Sequence, residues 1–108
     1  LQGMDDIVCN PKNAIEVVEQ WTGLHEIDRD SVSVAENFNN NPKVKRSSWL
    51  DAVRTELVVL YEFNGLGHVL AVDVGNEKDQ GGSDGLFSTD IGFHSTYWIA
   101  NEFGLIKN

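Results

Sequence analysis

An apolar run, Leu57-Val58-Val59-Leu60-Tyr61-Glu62-Phe63, breaks at Asn64-Gly65-Leu66-Gly67 and delivers His68. Apolar residues on both faces of this run predict a strand from Glu56 to Phe63 that is covered on both sides. Such burial calls for more sheet and more helices than 108 residues contain. Glycines at 65 and 67 permit a sharp turn, so His68 is carried on a short, well-anchored loop. A catalytic base is commonly mounted in this way, and a packed core or loop histidine is the alternative structural role.

Upstream, Lys43-Val44-Lys45-Arg46-Ser47-Ser48-Trp49-Leu50 reads as an edge strand whose basic residues discourage further pairing, with Asp51 to Thr55 turning into the central run. The two strands make an antiparallel pair. Asn10 can cap a helix, Pro11 suits its first position, and Ala14, Val17, Val18 and Trp21 form an apolar face. Glu16, Glu19 and Gln20 fall on the wet side, and Gly23 supplies a stop, so the pattern predicts a helix from about Pro11 to Thr22. The opening residues, Leu1 to Val8, resemble the end of a strand whose beginning is missing. His25 to Asn41 is polar and reads as a long surface excursion. Beyond His68, residues 75–85 form a glycine-rich loop expected to be flexible and exposed. A last helix from Ser95 or Thr96 to about Phe103 has apolar Tyr97, Ile99, Ala100 and Phe103, with Gly104 ending it. The fold class is α/β, in one domain without an internal boundary.

Composition narrows the chemistry. Eight Lys+Arg against seventeen Asp+Glu give a formal charge of −9, which repels phosphate backbones and anionic membranes and argues against nucleic acid as a partner. The same acidity suits a complete small binding or inhibitor domain for a basic partner, which is the competing functional class. Cys9 is the single cysteine, so neither an intrachain disulfide nor a cysteine-based zinc framework is available. His25, His68 and His94 show no metal-ligand spacing with the carboxylates, and neither metal nor cofactor is expected. No segment has the apolar length of a membrane span.

Gly81-Gly82-Ser83-Asp84-Gly85 matches the G-x-S-x-G pattern of a serine nucleophile. The chemistry needs a strand entering the serine and a helix leaving it, which hold the hydroxyl exposed on a strained turn. Ser83 has polar loop before it and Leu86-Phe87-Ser88 after it, so it is rejected as a nucleophile.

Several ordered fragments together carry a resemblance. Gln2-Gly3-Met4-Asp5-Asp6, Asn10-Pro11-Lys12-Asn13-Ala14, Glu19-Gln20-Trp21, Leu60-Tyr61-Glu62, Gly65-Leu66-Gly67-His68, Ser95-Thr96-Tyr97-Trp98-Ile99-Ala100 and Phe103-Gly104-Leu105 resemble the C-terminal part of polyhydroxybutyrate-depolymerase-type esterases. The resemblance runs from Gly3 to Leu105 and is weakest between His25 and Lys45. It implies the last strands and helices of an α/β-hydrolase fold, with the nucleophile-bearing half absent.

In that family an aspartate three residues after a glycine is the triad acid, a position taken here by Asp6, with Asp5 as the fallback. The glycine, hydrophobic, glycine, histidine motif carries the base, here His68. Leu66 stands where methionine is common, and Asn101-Glu102-Phe103 where an aromatic pair often precedes Gly104, so the local pocket departs from the family pattern. The implied activity is carboxylic ester hydrolysis through an acyl-enzyme, on a hydroxyalkanoate polymer or oligomer or another short-acyl ester. The chain order serine, acid, histidine places the nucleophilic serine before Leu1. The 108 residues alone are therefore expected to be inactive. Members of the family are often exported.

Overall fold

The computed structural model describes residues 1–106. In chain order its elements are β1 (Gln2–Gly3), α1 (Lys12–Leu24), β2 (Val32–Ala35), β3 (Val44–Leu50), β4 (Glu56–Phe63), β5 (Leu70–Val72), β6 (Ser88–Asp90) and α2 (Ser95–Glu102). This is a mixed α/β arrangement of two sheets and two helices, divided into two units, Leu1–Gly67 and the residues from His68 onward. Among the described residues no helix is long and apolar enough to cross a membrane.

In the first unit the sheet order is β1-β4-β3-β2. β4 spans the residues predicted from its apolar run, lies parallel to β1 and antiparallel to β3, and buries Leu60, Tyr61 and Phe63. Leu60 and Tyr61 are adjacent and so point to opposite faces, which gives this end of the strand cover on both sides. Its first half, including Leu57, is more open. The expected antiparallel pair is present, but β3 is an interior strand and not an edge. Its second neighbour, β2, is drawn from the stretch read as loop and pairs antiparallel from Val32↔Trp49 to Ala35↔Arg46. Only four residues of that polar stretch extend, too few to show alternation against the surrounding Asp and Asn. β2 is exposed along its whole length.

Two devices hold this sheet. Asp51 Oδ1 accepts the N–H groups of Val53 and Thr55, at 3.0 and 2.8 Å, which closes the predicted turn between β3 and β4. On one face the Arg46 guanidinium lies 5.8 Å from the ring centres of both Phe38 and Tyr61, donates from Nε to Tyr61 Oη at 3.2 Å, and pairs with Glu56 at 2.7 Å. Burial alone pushes the Glu56 carboxyl up, but hydrogen bonds from Ser48 and Arg46, together with the Arg46 charge, bring it below its ordinary value.

α1 packs against β4. Pro11 has helical backbone angles, and Asn10 Oδ1 accepts the Lys12 N–H at 2.9 Å, as a cap does. The helix passes Gly23 and ends at Leu24. Ile27 N–H donates to Thr22 O at 2.8 Å and Glu26 N–H to Gly23 O at 3.2 Å, the double closure that places Glu26 in the left-handed conformation, φ 55°. The buried stripe is narrower than the predicted face: Val18 and Thr22 are inside, Ala14 is half-buried, and Val17 and Trp21 are exposed. Thr22 enters the stripe because its hydroxyl donates to Val18 O at 2.7 Å, which satisfies it internally.

In the second unit β5 and β6 pair in parallel from Leu70↔Ser88 to Val72↔Asp90. α2 begins at Ser95, as predicted, and its Ser95 hydroxyl donates to Ala71 O at 2.7 Å. Gly104 closes it through Leu105 N–H to Ala100 O at 2.9 Å. The glycine-rich loop is anchored and not free: Asp73 and Gly81 exchange backbone hydrogen bonds, and Gln80 Nε2 donates to Asp73 Oδ1 at 3.2 Å.

Candidate functional site

The predicted acid sits where β1 runs out. Met4 N–H donates to Phe63 O and Asp5 N–H to Leu66 O, both at 2.9 Å, so the chain leaving β1 stays zipped to the end of β4 and to the loop beyond it. Gly3 makes this possible: a Cβ there would collide with the carbonyl oxygens of Leu66 and Gly67. Across the turn, Gly65 takes φ 76°, a conformation costly for other residues. Leu66 between the two glycines is buried.

Asp6 is 8% exposed, whereas its neighbour Asp5 is open to solvent. Asp6 Oδ1 accepts two backbone N–H groups, from Val8 at 2.9 Å and Cys9 at 2.8 Å. Two such donors orient the carboxylate firmly. Gln2, which belongs to the first resembling fragment but had no role assigned, supports the same loop. Its buried amide donates to Gly3 O at 2.8 Å and Cys9 O at 3.0 Å, tying β1 to the far end of the Asp6 turn. A buried glutamine in a two-residue strand carries no periodic signal, so only its position in the fold exposes this role.

His68 follows Gly67 directly, opens the second unit, and is exposed. Of the other two histidines, His25 stacks on Trp21 with ring centres 6.1 Å apart, and His94 heads α2 with its Nδ1 shielded from solvent and without a hydrogen-bond partner. Ser83 lies outside the described strands and helices and lends its carbonyl to the Ser88 hydroxyl at 2.5 Å. Neither the entering strand nor the leaving helix of a nucleophile turn surrounds it.

No protein-family model matches the chain, and no solved structure matches it. Among curated proteins it is similar to poly(3-hydroxyalkanoate) depolymerase C of Paucimonas lemoignei, at 36% identity over 105 residues. That alignment takes in 96% of this chain and 24% of the relative, so the chain spans about a quarter of the relative's length. The chain is thus related to a region of a polyester depolymerase.

Proposed function

We propose that these residues are the acid-and-base portion of a serine carboxylic ester hydrolase of the polyhydroxybutyrate-depolymerase type, within a single α/β-hydrolase domain. The observation that carries the reading is the buried Asp6 carboxylate, held by two backbone N–H groups on a turn zipped to the loop that leads into His68. In this role Asp6 keeps the His68 imidazole in one orientation and tautomer and stabilises the imidazolium that forms during the reaction. His68 removes the proton of a serine supplied by another part of the whole protein, then returns it to the leaving alcohol. Water, activated by the same imidazole, releases the acyl group. The exposed Asp5 lacks the enclosure that this role requires, which favours Asp6 between the two.

The related depolymerase supports a poly(3-hydroxyalkanoate) as the substrate class, with oligomers of hydroxyacids and other short-acyl esters sharing the same bond. Replacing His68 with Ala in the whole protein is expected to lower kcat on a short-acyl aryl ester by roughly ten-thousandfold or more, and Asp6→Asn by a similar order. Retention of full activity by His68→Ala would sink the proposal. Loss of activity on Asp5→Asn alone would move the acid by one residue.

A further inference from the structure

Of the chain's asparagines, Asn64 alone precedes a glycine. With Gly65 it forms the centre of the turn that closes from Leu66 N–H to Phe63 O at 3.4 Å. Asn64 is exposed, and its N–H donates to Lys43 O at 2.8 Å. The peptide that joins it to Gly65 is held by nothing: among the described residues neither its carbonyl nor its N–H has a hydrogen-bond partner, and neither does the Asn64 side-chain amide. A Cβ on Gly65 would meet nothing within 4 Å, so the space around its nitrogen is open. Glycine also has no side chain to shield that nitrogen or to resist rotation of the peptide plane. Asp84-Gly85 offers the same pairing of a side-chain carbonyl carbon with a glycine nitrogen, but both partners are tied. Gly85 N–H donates to Ser88 O at 3.0 Å, and Asp84 Oδ1 accepts the Asp90 N–H at 2.6 Å. An ionised carboxylate is, moreover, a poorer electrophile than a neutral amide.

We propose that Asn64 is a modification site, converting spontaneously to isoaspartate, and that the conversion loosens the turn that leads to His68. Once base has removed its proton, the Gly65 nitrogen attacks Asn64 Cγ. The new N–Cγ bond closes a succinimide ring as the Cγ–Nδ2 bond breaks and Nδ2 leaves as ammonia. Water, the only co-reactant, then adds to either imide carbonyl. Opening at the side-chain carbonyl gives aspartate; opening at the main-chain carbonyl gives isoaspartate, whose backbone runs through Cβ and Cγ. The second product places a carboxylate and an extra backbone carbon between Phe63 and Leu66. Asp5 N–H donates to Leu66 O at 2.9 Å, so lengthening the turn displaces the acceptor that holds the chain leaving β1.

The test incubates the whole protein in mildly alkaline buffer and maps it by peptide mass and fragmentation. The amide-to-acid mass gain is expected at residue 64 ahead of every other asparagine, with isoaspartate as the main product and Asp84 unconverted. Asn64→Gln, whose imide ring would be larger and slower to close, should show no gain over the same interval. The isoaspartate form, separated by ion exchange, is expected to melt lower than fresh protein. On the ester-hydrolase reading above, it should also cleave p-nitrophenyl butyrate about tenfold or more slowly. Fresh Asn64→Asp, which carries the charge without the extra carbon, should match unmodified protein in both. Absence of a gain at residue 64, or a gain no faster than at the exposed Asn76, overturns the modification. An isoaspartate form that melts and hydrolyses like fresh protein overturns the loosening, and so does an equal loss in Asn64→Asp, since charge alone would then account for it. If fresh protein is inert on the ester, the hydrolase reading falls, while the mass map and the melting temperatures still decide this proposal.

Discussion

Glu26 and Glu56 show how single carboxylates are put to structural use. Glu26 occupies the left-handed position that ends α1, which glycine usually takes. The strain of a side chain there is of order 1–2 kcal/mol, partly offset because glycine is freer in the unfolded chain. Glu26→Gly is therefore expected to stabilise by about 0.5–1 kcal/mol, read as a higher urea midpoint. An unchanged or lower midpoint would show that Glu26 is not strained. Glu56 behaves differently. Its carboxyl is held below the ordinary value of 4.5 despite some burial. A group whose folded pKa is depressed contributes stability above its unfolded pKa and loses it as pH falls through the folded one. The melting-temperature gap between wild type and Glu56→Gln should accordingly be present at neutral pH and close below about pH 4.5. Half of the Arg46–Glu56 pair is substantially exposed, so the gap should be modest and reduced by salt. A gap that widens in acid would contradict this assignment.

At the scale of elements, the two-residue β1 matters out of proportion to its length. It is parallel to β4 through Gln2↔Glu62 and Gly3↔Phe63, and its exit is hydrogen-bonded to the turn before His68. Gly3→Ala forces a methyl group into the Leu66 and Gly67 carbonyls. It is expected to cost about 2–3 kcal/mol and, under the proposed function, to lower ester hydrolysis in the whole protein by displacing the Asp6 turn. Wild-type stability in a denaturant titration of this variant would mean that the close approach is not maintained in solution. β3 carries the opposite lesson. Lys43, Lys45 and Arg46 mark it as an edge, yet it has neighbours on both sides because β2 takes the outer place. Arg46 is accommodated there by Phe38, Tyr61 and Glu56, not by solvent.

For the molecule as a whole, the apolar surface stands out. Ile15, Val17, Trp21 and Leu24 on α1 and Val32 and Val34 on β2 are exposed in the first unit, and Leu86, Phe87, Phe103 and Leu105 in the second. Surfaces of this kind are normally covered or used. The 108 residues prepared alone are expected to bind a hydrophobic dye and to hydrolyse a short-acyl ester no faster than their own His68→Ala variant. A cooperative monomer that ignores the dye and shows His68-dependent hydrolysis would refute that expectation.

Much of this was legible from local pattern. The Leu57–Phe63 run specified β4, Asn10-Pro11 the start of α1, Ser95 and Gly104 the limits of α2, and Asp51 the turn between β3 and β4. In each case the deciding interaction lies within a few residues, through a cap, a turn or side-chain periodicity. Long-range pairing decided the rest. β2 exists because a short polar segment meets the free edge of β3. α1 ends at a strained glutamate because buried Ile27 closes back onto Thr22. Asp6 was marked only through resemblance to the esterase family, and its burial, its two N–H donors and the bracing amide of Gln2 arise only once β1 lies beside β4. Sequence records which residues favour which local conformation, whereas partners distant along the chain acquire a contact energy only when the fold brings them together.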